Sequence, residues 1–203
     1  MGGLMRASFL DLVFEVLGRA QELRTPPGAW SQAEGTAGTE LPDDLKAITV
    51  AYAPVCLNHH LTLYHPSTSA FNLADHLKGE LEQLNALDWF AEEGPAYHGS
   101  APRFGGPHGL LPIAVTDRRE SLFIRRTESG EWICVTLSAF GGAFREFPMG
   151  FAEWLYRYLE GEEMFGPGTD VYYPGPVRIE ELPQYRGDDV RDRWGPPRAP
   201  KQA

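Results

Sequence analysis

Between Leu110 and Gly161 the chain reads "LLPIAVT", "ESLFIRR", "EWICVTL" and "AFREF", followed by "FAEWLYRYLEG". The first four runs are rich in β-branched and aromatic residues, and they are separated by "DRR", by a turn around Ser129-Gly130 and by Gly141-Gly142. Connections this short leave no room for crossover helices, so neighbouring strands must run antiparallel. In the closing segment Phe151, Trp154, Leu155, Tyr158 and Leu159 recur at i, i+3, i+4, i+7 and i+8, with Gly161 at the place of a left-handed C-cap. A helix with so continuous an apolar stripe must lie on the sheet. The expected class is therefore α+β, an antiparallel meander packed with helices, and no βαβ alternation points to a nucleotide-binding parallel sheet.

The remaining segments fit around that unit. An amphipathic helix is expected over about residues 4 to 23, stopped by "TPPG". A short helix follows through Trp30, Ala33 and Ala37, closed by Gly38. Another begins at Pro42, with Asp43 and Asp44 at the positive end of its dipole and Leu45, Ile48 and Tyr52 on one stripe. "VCLNHHLTLYHP", residues 55 to 66, reads as one strand with Leu57, Leu61 and Leu63 along an apolar face. Asn72 can cap a helix carrying Leu73, Leu77, Leu81 and Leu84 on one side and Asp75, Glu80 and Glu82 on the other. Residues 91 to 108 are rich in Gly and Pro and read as a long loop. Residues 162 to 183 read as irregular apart from a short strand in "VRIEEL", and the chain from about 184 lacks periodicity and is expected to be disordered. The expected organisation is an amino-terminal helix and linker over 1–28, a main domain over 29–183 and a tail over 184–203.

Charge narrows the function classes. The net charge is -10, and residues 40 to 99 hold nine acids against Lys46 and Lys78. A nucleic-acid binder needs a basic footprint, and only Arg118, Arg119, Arg125 and Arg126 cluster, in a manner better suited to a solvated hairpin. An acidic face suits a basic protein partner. Asp11 and Glu15 interrupt the amino-terminal apolar stretch where a signal peptide needs continuity, and no run approaches a membrane span. Cys56 and Cys134 both lie in apolar strand-like runs, which suits reduced thiols in the cytoplasm.

Cys56, His59, His60 and His65 raise the question of a metal. In one extended strand His59 and His65 share a face but stand about 20 Å apart, and His60 points the other way. No chelating pair forms, so neither a metal nor a cofactor is expected. The chain has no Gly-x-Ser-x-Gly, no His-Glu-x-x-His and no phosphate-binding glycine loop. A remote enzymatic alternative is a metal-dependent hydrolase built on His59, His98 and His108. Most aromatic residues match sheet or helix periods and belong to the core. Trp89 and Phe90 end an acidic helix beside Glu92 and Glu93. They fit either an exposed anchor rimmed by charge or a cap folded back on the core.

The order of these pieces resembles the SUKH superfamily, which includes fungal cell-wall-synthesis regulators. "AWSQAEGTAGTELPDDLKAITVAYAP" is similar to its Trp-led helix, Leu-Pro joint and tyrosine-ended helix. "PHGLLPIAVTDRRESLFIR", "EWICVTL" and "FREFPMGFAEWLYRYLEG" are similar to its paired strands, Trp-bearing strand and closing strand and helix. The likeness spans about residues 29 to 161, and Ala53, Val55 and Ile113 depart from the family's usual glycines and tryptophan. The resemblance implies a SUKH-like fold and a non-enzymatic cytosolic binding protein. In bacteria that means an immunity protein that neutralises a polymorphic toxin, often a basic nuclease, by direct binding. The alternative is an intracellular scaffold or regulator with a host protein as partner. The expected contact residues are Glu82, Asp88, Trp89, Phe90, Glu92 and Glu93.

Overall fold

In the computed structural model, residues 7–21, 23–89, 97–138, 143–166 and 175–198 are described. Helices α1 (Phe9–Leu17), α2 (Ala29–Ala37) and α3 (Asp43–Tyr52) come first, then strands β1 (Val55–Leu57) and β2 (Leu61–Leu63). Helix α4 (Leu73–Ala86) leads to β3 (Leu111–Thr116), β4 (Ser121–Arg126), β5 (Trp132–Leu137) and β6 (Phe144–Phe147). Helix α5 (Phe151–Leu159) and strands β7 (Arg178–Glu181) and β8 (Arg191–Trp194) complete the order. All eight strands form one sheet, ordered β6-β5-β4-β3-β2-β1-β7-β8, and every neighbouring pair is antiparallel. The mixed α+β class and the meander follow the period-2 runs from which they were expected.

Strand register assigns the two faces. Val55 and Leu57 oppose Leu63 and Leu61, and the same face continues through Leu122, Ile124, Cys134 and Phe147. These side chains are buried with α1, α3 and α5 in the main core. The second face divides in two. From β3 to β6 it carries Phe123, Val135 and Phe144, which pack with Leu84 of α4. From β2 to β8 it carries Cys56, Thr62, Glu180, Arg178, Asp192 and Trp194, a polar surface with one large aromatic.

Helix α5 is placed by its stripe. Phe151, Trp154, Leu155, Tyr158 and Leu159 are all buried, and the Trp154 ring stacks on Tyr158 and meets Phe165 edge-on. Helix α1 is shorter than expected. A capping box between Ser8 and Asp11 starts it at Phe9, and Gly18, at φ +69°, ends it. Its Val13 and Leu17 join the same core as the sheet, so the amino-terminal segment is integrated with the main domain.

Two expectations are corrected. Residues 55 to 66 are not one strand. Asn58 and His59 both take positive φ, His60 N–H bonds to Leu57 O, and the chain folds back through a three-residue loop, with Leu57 facing Leu61. That double left-handed turn matches the twist of the flanking strands, and Asn tolerates it. Asn58 Oδ1 also accepts Arg178 N–H at 2.9 Å, which locks the turn onto β7.

The tail is not disordered over 184–198. Strand β8 pairs with β7 through Arg178–Asp192 at 2.6 Å and Arg193–Glu181 at 2.8 Å, while Arg193 Nη1 donates to Leu17 O. Gly195 N–H bonds to Val177 O, and a Cβ there would lie 2.7 Å from Val16 O, so only glycine permits this approach to α1. Residues 199–203 lie outside the described residues. Deleting residues 191 to 198 is expected to cost about 2 kcal/mol of stability, through the lost ladder bonds and the uncovered edge of Ile179. Chemical unfolding of the truncated chain checks this, and an unchanged midpoint would mean that the tail contributes nothing.

Candidate functional site

Helix α4 carries the residues expected to meet a partner. Asn72 Oδ1 accepts the N–H groups of Ala74 and Asp75, fixing the first turn, and Leu73, Leu77 and Leu84 turn inward. Asp75, Lys78 and Glu82 lie along the exposed side, and Asp88 follows just past the helix end, also exposed. Glu80 is half-buried, and burial raises its carboxyl pKa. Trp89 takes the second of its two expected placements. Its ring packs against Phe104 and Phe144 at 5.2 and 5.8 Å, and its Nε1–H donates to Leu84 O at 2.7 Å. It covers the smaller apolar cluster, while the neighbouring Leu87 is exposed. Phe90, Glu92 and Glu93 lie outside the described residues.

A polar clasp flanks that cluster. Glu146 accepts hydrogen bonds from Arg125, from the Tyr97 hydroxyl and from His98. Burial opposes ionisation of Glu146, but these donors together hold its carboxyl below the usual range. A carboxylate so heavily engaged makes a poor base and a good fastener, here tying residues 97 to 104 to the sheet. In sequence Arg125 reads as part of a solvated hairpin. Only the β4–β5–β6 register brings it beside Glu146.

The histidines are dispersed. His59 Nδ1 lies 2.6 Å from Glu180 on β7, and His98 Nε2 lies 3.2 Å from Glu146 on β6. Those strands are six steps apart in the sheet, about 29 Å at ordinary strand spacing. The grouping of His59, His98 and His108 therefore cannot share an ion. Among the described residues no set of three or more His, Cys, Asp or Glu side chains is arranged to hold a metal.

His60 is buried, with Nδ1 2.8 Å from the Tyr158 hydroxyl and Nε2 3.3 Å from Glu120. Glu120, itself buried, accepts from Thr116 Oγ1, so this chain of contacts joins the β1–β2 turn, the β3–β4 turn and α5. Burial lowers the His60 pKa, against the pull of Asp117 and Glu120.

His65 and Ser67 form a serine–histidine contact at 3.0 Å, the distance a nucleophile and its base would need. His65 Nδ1 also accepts Ser67 N–H at 3.1 Å, which leaves the proton on Nε2, facing Thr25 Oγ1 at 3.3 Å. The ring nitrogen that would serve as base is shared with a backbone donor, and no carboxylate orients the other. This arrangement holds a turn. Cys56 has its thiol pushed up to about 12, first by burial, and is not a nucleophile near neutral pH.

At the β7–β8 connection a cleft of about 540 Å³ opens between Gln21 and the segment from Glu181 to Arg191. Among the described residues no helix is long and apolar enough to cross a membrane. No protein-family model gives a significant match to the chain, and neither do curated proteins or solved structures.

Burial depresses the pKa values of both His65 and His76 to about 4. In the unfolded chain they titrate near 6.5, so between about pH 6.5 and 4 the unfolded state binds more protons. Stability is therefore fully present above pH 6.5 and falls as the pH drops towards 4, His65 alone accounting for up to about 3 kcal/mol. Urea unfolding across this window should show the loss, and His65→Gln should cut it by roughly half, His76 keeping its share. An equally steep slope in the variant would assign the effect elsewhere.

Proposed function

We propose that this chain is a non-enzymatic binding protein that recognises a basic protein, and that it acts as a SUKH-type immunity protein neutralising a toxin by covering it. The observation that carries this reading is the exposed side of α4, where Asp75 and Glu82, with Asp88 beyond the helix end, are offset only by Lys78 in a chain of net charge -10. Such a surface raises the encounter rate with a cationic partner and disfavours nucleic acid. Further support comes from element order. A Trp-bearing helix, a helix entered through Leu41-Pro42, an antiparallel meander and a closing aromatic helix follow one another as the SUKH resemblance implies. His59, His60, His65 and His98, with the carboxylates of Glu120, Glu146 and Glu180, are engaged in structural contacts, which suits action by occupancy.

The test is charge reversal of Glu82, Asp88, Glu92 and Glu93 to Lys, with binding measured against the product of a toxin gene adjacent to this one. Association should slow by about tenfold at low salt, with the difference shrinking as salt rises. Unchanged association would remove the α4 surface from the interface.

A further inference from the structure

Three of the large apolar side chains that the fold leaves exposed lie in one short stretch, Tyr185, Val190 and Trp194, the last two 52% and 61% exposed. Val190 directly precedes β8, and Trp194 ends it. Among the described residues the strand is the sheet's last, paired with β7 on one side only. Gly195 N–H on Val177 O sets the alternation of the ladder. Continuing it, Arg193 and Arg191 bond towards β7, while Trp194, Asp192 and Val190 turn their N–H and C=O groups away from the sheet. The residues with outward backbone groups are thus also those whose side chains stand exposed on the open second face.

This edge is already held in place. Arg193 is tied to Glu181 and to Leu17 O, Pro196 packs on Gly18, and Arg198 donates to Leu159 O at 2.6 Å. On the open face Asp192 bridges Arg178, whose guanidinium lies 6.0 Å from the Trp194 ring centroid. An incoming strand would meet a formed template and would not have to order β8 first.

Charge decides what can add. In a symmetric antiparallel pair of two β8 strands, facing residues share a side of the sheet. Centring on residue 192 sets Asp192 against Asp192 and Arg191 against Arg193, and centring on 191 or 193 sets an arginine against itself. Like charges directly opposite destabilise strand pairing, so the edge disfavours a second copy of itself. A foreign strand with a basic residue facing Asp192 and apolar residues facing Val190 and Trp194 meets no such conflict.

We propose that the outer edge of β8 is a strand-addition site for an extended segment of a protein partner that carries one basic residue opposite Asp192, between apolar residues. The proposal rests on the reading of the chain as a binder of basic proteins and gives that binding a second contact, outside α4. Main-chain hydrogen bonds at residues 190, 192 and 194 supply affinity, and the Val190–Asp192–Trp194 side chains supply selectivity.

The test titrates the isotopically labelled full chain with the capped peptide Thr-Ile-Thr-Lys-Thr-Val-Thr and follows its backbone amide resonances. Those of Val190, Asp192 and Trp194 should move first. A glutamate in place of the peptide's lysine should weaken binding about tenfold. Methylating the Ile, Lys and Val amides of the peptide should abolish binding, and methylating the Thr amides should not, because only the first set faces the edge. Asp192→Pro removes an outward N–H at a position an edge strand tolerates, and it should lose the peptide while keeping the far-ultraviolet dichroism of the parent. If that variant fails to fold, the methylated peptides still decide on the unaltered protein. Binding indifferent to which amides are methylated, or shifts centred on α4, overturns the proposal. A basic protein that binds the parent and D192P equally overturns it too, while leaving the acidic surface of α4 as the contact.

Discussion

The aromatic stripe of α5, pressed onto the first face of the sheet, is the contact to which the other elements are fitted. Trp154 is wholly buried, its ring stacked on Tyr158 and set edge-on to Phe147 and Phe165. Aromatic side chains of this size dominate core energetics, and their tilted geometries add to area burial. The same helix gathers distant parts of the chain. Asp44 of α3 accepts Ala152 N–H at its first turn, Tyr158 reaches His60 in the β1–β2 hairpin, and Arg198 bonds to Leu159 O at its far end. Amino-terminal helices, hairpin and tail are therefore registered against one rigid body.

The two faces of the sheet serve different ends. The first is covered by helices and carries the main core. The second is apolar only where α4 and the loop from Tyr97 to Leu110 lie over it, and beyond β2 it turns polar. A half-covered antiparallel sheet is stable if one face is well buried, and that frees the other for recognition. The acidic side of α4 and the edge of β8 lie on either side of this open area, so a partner could engage both without disturbing the core.

Legibility in the sequence followed period length. The strands from Leu111 to Phe147 and helix α5 stood out because each repeats its apolar residues over several turns of its own period. The hairpin at Asn58-His59 was hidden because Leu57, Leu61 and Leu63 keep even spacing across it, and a four-residue step through a tight turn returns to the same face. Asn58 was the available signal, since asparagine enters the left-handed region more readily than most residues, but the usual following glycine is replaced by His59. Trp89 was legible as an aromatic at a helix end, yet its neighbours Phe104 and Phe144 lie far along the chain. The Glu146 clasp had no local pattern at all.

The sequence by itself determined the α+β class, the antiparallel meander, the buried side of each long helix and the acidic surplus, because hydrophobic period and charge are local properties of the chain. Tertiary structure alone decided that β8 forms, that the histidines are scattered and that Arg125 meets Glu146. Strand β8 is three charged residues and an exposed Trp194, with no buried apolar stripe, and its stability comes from partners on β7 and α1. No reading of Arg191, Asp192 and Arg193 alone could anticipate those partners, since contacts between residues distant in sequence exist only after the sheet has assembled.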